Sequence, residues 1–203
     1  MVSGDNNNND DTKAEASRAS ADEKVLVKLL EGLQAKSEAV RYPSFQILLC
    51  LSEECPEVLY PQWDFLADML NSKNSYWKLS AVRLIANLTS VDRENRFERI
   101  FDRYYDLLND SVIIAGHVTA NSGKIARVKP KLQPAITSRL LNIDHTTQKH
   151  KDLIKAGAIE SFGEYFTEAE NKDEIVKFVE QQLHSESPKT RKMAQEFLEK
   201  IAS

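Results

Sequence analysis

His117, Asn121 and Lys124 fall at i, i+4 and i+7 within GHVTANSGKIARVKPKLQP, a stretch that contains no acid. On a helix that spacing lines an imidazole, an amide and an ammonium along one stripe, a pattern suited to holding a polar or acidic ligand. The same stretch raises a second chemistry, because Gly-Lys behind an earlier glycine is the outline of a phosphate-cradling loop. Such a loop needs four residues between its first Gly and the Gly-Lys, then Ser or Thr, with a strand before it. Here six residues separate Gly116 from Gly123, Ile125 follows Lys124, and the flanking pattern is helical. The phosphate-loop reading fails. Gly116, Ala120 and Gly123 also recur at i, i+4 and i+7, which predicts a smooth stripe against which a neighbouring helix packs closely. Such packing offsets the ~1 kcal/mol that a helix-interior glycine costs relative to alanine.

Other reactive side chains do not assemble into a site by spacing. Cys50 and Cys55, the only cysteines, stand too close and too few for a disulfide framework or a zinc site. They read as free thiols of a reducing compartment, which points to a cytoplasmic protein in which the N-x-T match at Asn87 carries no sugar. His117, His145, His150 and His184 lie on different segments, and the carboxylates of TEAENKDE and SEECPE suit solvated loops and helix starts. The aromatic group Tyr76, Trp77, Phe97, Phe101, Tyr104 and Tyr105 has helical spacing and reads as mostly core. No catalytic set, metal site or cofactor is expected, and the chain reads as a non-enzyme.

Charge is uneven along the 203 residues. From 114 to 156 there are eight bases (Lys124, Arg127, Lys129, Lys131, Arg139, Lys149, Lys151, Lys155) against Asp144 and Asp152, a balance of +6. The remainder carries −10, for a total of −4, which argues against a chain devoted wholly to nucleic acid. No apolar run approaches the ~20 residues that span a bilayer, and the polar start has no secretory signal.

The elements that must position these residues are helices. Residues 1–20 are polar, Asn-rich and low in complexity, and are expected to form a disordered tail. From Ser20 onward the apolar periodicity is helical nearly everywhere, giving ten helices and no sheet over a single domain at 21–203. Ser20 and Glu23 have the spacing of a capping box, and Ser187 followed by Pro188 opens the last helix. The helices pair with a repeating length. AVRLIANL (81–88) overlays AGHVTANS (115–122) at an offset of 34, matching Arg83 to His117 and Asn87 to Asn121. SFQILLCL (44–51) and AQEFLEKI (194–201) fit the same frame, whereas the pair around KHKDLIKAGAIESF aligns less cleanly. A period of 34–40 residues with two helices per unit signals a stacked array, since one pair cannot bury its own apolar face.

NSYWKLSAVRLIANLTS and SPKTRKMAQEFLEKIAS resemble the second helix of HEAT repeats: a polar cap, a hydrophobic-basic pair, Ala four residues on, then two apolar positions. ANL at 86–88 and KAGAIESFGEYF at 155–166 are similar to armadillo repeats. The proline pairs Pro56 and Pro61, and Pro130 and Pro134, resemble the bent first helix of HEAT units. The resemblance implies an all-α, right-handed α-α superhelix, a HEAT-like solenoid of about five helix pairs that binds other macromolecules. It further implies that second helices line the concave face, where Asn87 matches an armadillo asparagine that holds a peptide backbone. The expected partner site is therefore Arg83, Asn87, His117, Asn121 and Lys124, with Lys151 and Lys155 extending it. Asn87 and Asn121 have an alternative use as an internal hydrogen-bond ladder.

These readings converge on a non-catalytic scaffold that binds an acidic or extended segment of another protein, with no membrane partner. RNA or DNA binding through the +6 segment is the alternative. A base-excision activity like that of the HEAT-like alkylpurine glycosylases shares architecture only and ranks last.

Overall fold

Helix-forming periodicity meets strong start signals along this chain, and the computed structural model, which describes residues 5–202, is helical throughout with no strand among them. The chain divides into two compact units, Met1–Asp92 and Arg93–Ser203. The first contains α1 (Asp5–Ala21), α2 (Glu23–Leu33), α3 (Glu38–Glu54), α4 (Pro56–Leu59), α5 (Trp63–Met69) and α6 (Ser75–Leu88). The second contains α7 (Arg96–Asp106), α8 (Val112–Val128), α9 (Gln133–Leu141), α10 (Lys151–Tyr165), α11 (Lys172–Gln181) and α12 (Pro188–Ala202). No helix of the described residues is long and apolar enough to cross a membrane.

All ten helical segments read from the sequence are present, with two kinds of correction. The leader expected to be disordered is helical from Asp5 to Ala21, and residues 1–4 of that expectation lie outside the described residues. Its composition argues against order, but Ala16 and Ala19, each 1% exposed, form a narrow apolar stripe that lies against α2 and α3. Tertiary burial overrides composition there. The start of α2 also differs: Asp22, not Ser20, is the N-cap, accepting from the Lys24 N–H at 2.8 Å, while the Ser20 hydroxyl donates back to the Ser17 carbonyl. At the other end of the chain Ser187 Oγ accepts from Thr190 N and Pro188 begins α12, as the spacing predicts.

The predicted helix at 56–72 is broken at Tyr60–Gln62 and the one at 129–144 is preceded by a short 3-10 turn at Pro130–Leu132. Pro61 and Pro134 lack an N–H and would clash with the carbonyl four residues back, so the α-helix restarts beside each of them.

Inside the first unit α3 is packed by α1, α2 and α6, while α4 and α5 close on α6, around Leu33, Leu48, Trp63, Leu66 and Leu84. Inside the second, α8 lies along α10 and α10 along α12, with α9 and α11 filling in behind, around Phe97, Tyr104, Ile125, Phe162 and Ile175. Two second helices begin in the same way. Arg41 Nη1 donates to the carbonyls of Ala35 and Lys36, and Arg191 Nη1 to those of Ser185 and Glu186, each closing the turn that enters its helix. Within each unit several side-chain bonds join residues 31 to 42 apart, such as Asn87 to Ser52, Thr147 to Asn109 and Ser185 to Asp152.

Candidate functional site

The glycine stripe of α8 is a packing device, but a different one from that expected. At Gly123 an added Cβ would sit 2.8 Å from both Cα and O of Ser161 on α10. At Gly157 of α10 it would sit 2.5 Å from Thr119 Oγ1 and 3.0 Å from Ala120 N on α8. Each helix therefore presents one glycine to the other. Gly116 takes no part: its nearest neighbour would be Ile154 Cγ2 at 4.0 Å, ordinary contact distance. The approach at Gly123 lets the Ser161 hydroxyl stand between two groups that a regular helix joins directly. It accepts from Gly123 N at 2.7 Å and donates to Thr119 O at 2.5 Å.

The polar stripe one residue along is half-buried. Asn121 Nδ2 donates to the His117 carbonyl at 2.7 Å, so its amide is spent partly within α8. His117, Asn121 and Lys124 are together on that helix, as their spacing requires. Lys151 is half-buried and Lys155 is buried. Both reach Asp144: Lys151 Nζ donates to its carbonyl at 2.6 Å, and Lys155, 7% exposed, pairs with its carboxylate at 2.8 Å. In the first unit Asn87 is 6% exposed and donates to Ser52 Oγ at 2.8 Å, which in turn donates to Leu49 O. That is an internal bond between neighbouring helix pairs, made to a serine of α3.

Much of the basic segment is neutralised by acids drawn from elsewhere in its own unit. Arg127 pairs with Glu164, Lys129 with Glu98 and Arg139 with Asp102. Three external carboxylates therefore offset half of the +6 balance seen along the sequence.

In the first unit Arg83 has a different environment. It projects from α6 across to α3, with its guanidinium 5.2 Å from the centre of the Phe45 ring. Arg41 makes the reciprocal contact, from α3 onto the Tyr76 ring of α6 at 4.3 Å. The two stacks bound a groove of about 320 Å³ whose walls also include Tyr42, Gln46 and Leu79. Arg41 is anchored by its two carbonyl bonds, whereas no described residue accepts a hydrogen bond from Arg83. Burial pushes the Arg83 guanidinium below the ordinary arginine pKa, with Glu53 and Tyr42 acting in the opposite direction.

No family model and no curated protein matches the chain. The site must be read from its own atoms. Tyr42 and Tyr76 are 58% and 55% exposed, so Tyr76, expected in the core, belongs to the groove rim instead. Trp77 beside it is half-buried, its Nε1 enclosed with no acceptor among the described residues. Arg41 with Phe45 at i, i+4, and Tyr76 with Arg83 at i, i+7, each share one helix face. That spacing was the available signal. The register of α3 against α6, which interleaves the two pairs, was not. Chemically the groove offers stacking faces and fixed cations, a binding set without a nucleophile and base in contact. Among the described residues no group of three or more His, Cys, Asp or Glu is placed to hold a metal.

Proposed function

We propose that the protein is a non-catalytic HEAT-like scaffold whose helix pairs stack as a solenoid and receive an acidic or extended segment of another protein. The receiving surface is the polar, basic side of a second helix, taken for each unit by itself: α6 in the first and α8 in the second. The observation that supports this reading is Arg83: a half-buried cation over the Phe45 ring at an open groove, with no hydrogen-bond acceptor among the described residues although Glu53 acts on its charge. Its free donors can take a carboxylate in a charge-assisted pair. The stacked-array part of the reading is supported by the recurring arginine closures and by inter-pair bonds that span about one repeat length. The free, half-buried thiols of Cys50 and Cys55 accord with a cytoplasmic setting. Nucleic acid is disfavoured as the main ligand by the overall −4 charge and by the carboxylate partners of Arg127, Lys129, Arg139 and Lys155.

Affinity purification on the full chain at physiological salt, with and without nuclease, tests the proposal. A protein partner resistant to nuclease is expected, with recovery at low salt reduced by Arg83→Glu or Lys124→Glu in variants that keep parental helicity. The loss should shrink as salt rises, because screening cuts electrostatic reach to ~8 Å at physiological ionic strength. Recovery that depends on nucleic acid and collapses steeply with salt would replace the scaffold reading with the nucleic-acid one.

A further inference from the structure

The groove between α3 and α6 has a neighbour on the same unit. A second depression of about 230 Å³, lined by Asp11 and Glu15 of α1 together with Pro43 and Ile47, shares Tyr42 and Gln46 with it. One end presents a guanidinium, at Arg83, and the other carboxylates, at Asp11 and Glu15, the latter shared with Arg18 at 2.6 Å. Between them lie the exposed rings of Tyr42 and Tyr76 and the buried Phe45. We infer that together they form a channel that docks an extended peptide of bipolar charge, with a carboxylate at Arg83, an apolar or aromatic side chain against Tyr42 and Tyr76, and a basic residue toward Asp11 and Glu15. The inference rests on the scaffold reading and gives it an address and an orientation.

Each part of the channel selects for this occupant. A guanidinium has five donors in a planar fork, and a carboxylate satisfies two of them at once. The Arg83 guanidinium lies over the Phe45 ring at 5.2 Å, an aromatic contact that favours this placement of the cation. Arg41 is held in the same way over Tyr76 and keeps that ring at the rim. Glu38 lies at the groove and Glu53 acts on Arg83, so two carboxylates offset the two guanidiniums in net charge, while no described residue accepts a hydrogen bond from Arg83. Exposed tyrosines at a concave site are the residue type in which interface energy concentrates. Stacking faces beside arginine also suit single-stranded nucleic acid. The α1 end argues against it, because a phosphate chain extended along the channel would run onto Asp11 and Glu15. A peptide can change the sign of its charge over that distance. A polyphosphate backbone cannot.

Selection of displayed random peptides on the full chain, followed by anisotropy on a labelled synthetic copy of the dominant sequence, tests this. Recovered peptides should place an acid, an apolar residue and a base in that order. Arg83→Glu should weaken the synthetic peptide roughly tenfold or more, since a charge-assisted bond becomes a repulsion. Exchanging the peptide's acid for Lys should restore binding to that variant, and Lys189→Glu on the exposed side of α12 should leave the peptide's affinity at the parental value. If circular dichroism shows that Arg83→Glu loses helicity, Arg83→Gln keeps a stem over Phe45 and serves the same comparison. The inference is overturned if no peptide is recovered, if recovered peptides lack the acid, or if the Arg83 variants bind them as the parent does. Loss with Lys124→Glu but not with the Arg83 variants would move docking to α8 and leave the scaffold reading standing. Retention of random single-stranded RNA in place of any peptide would end both.

Discussion

Ser161 and Gly123 show how one hydroxyl and one missing side chain join two helices. Because a Cβ at position 123 would fall within 2.8 Å of Ser161 backbone, Gly123→Ala should destabilise the protein by about 1–3 kcal/mol through overpacking. Gly116→Ala, with 4.0 Å of clearance, should be neutral or stabilise by up to about 1 kcal/mol through helix propensity. Urea unfolding of the two variants side by side checks both, and equal effects would refute the assignment of close approach to Gly123 alone. Asp152 joins the last two helix pairs by a different means. Its carboxylate accepts from Ser185 Oγ and Glu186 N, and its carbonyl from Thr190 Oγ1 at 2.5 Å. Burial acts to raise its pKa, but these bonds and the charge of Lys155 outweigh burial and hold it below the usual carboxylate range. A lowered folded-state pKa stabilises at pH values above the unfolded pKa of about 3.9, and that stability is lost as pH falls through the folded value. Asp152→Asn should therefore lower the urea midpoint at neutral pH, with the deficit closing below about pH 4.

At the scale of the element, α1 is the clearest case of a segment ordered by its neighbours. Its polar sequence has no amphipathic stripe beyond Ala16 and Ala19, and an isolated helix of that composition is marginal in water. Removing residues 5–21 would expose the surface of α2 and α3 beneath those alanines, lowering stability by about 1–3 kcal/mol. An unchanged unfolding midpoint in the truncated chain would show that the contact contributes nothing. The prolines work the other way, through covalent geometry alone. Pro61 and Pro134 interrupt their helices by local chemistry that was readable without any neighbour.

At the scale of each whole unit, side-chain bonds such as Asn87 to Ser52, Gln148 to Asp110 and Ser185 to Asp152 join residues that are 33 to 38 apart in sequence. Protection should follow that pattern within the second unit. Hydrogen exchange is expected to be slowest in α8 and α10, which bury Val118, Ile125, Ile159 and Phe162 against each other and their flanking helices. It should be fastest in the last turn of α12, where Glu199, Lys200 and Ile201 are exposed. Uniform protection from α8 to the end of α12 would contradict a chain of nearest-neighbour contacts.

The all-helical character and the position of every helix after α1 were legible in the sequence alone, because apolar period, caps and prolines act within one or two turns. The expected ten helices missed α1 and ran α4 and α5 together. The polar stripe of His117, Asn121 and Lys124 was legible for the same reason, being a property of one helix. What spacing could not determine was which partner each side chain meets across an interface. Arg127, Lys129, Arg139 and Lys155 read as a basic surface in sequence, and each meets a carboxylate only once the helices are packed. Asn87 turned inward to Ser52, while Arg83, equivalent to His117 in the repeat frame, was left over Phe45 without an acceptor. Charge along a chain is a sum over neighbours in sequence. Charge at a surface depends on helix register, and register is set by how α3 meets α6 and α8 meets α10.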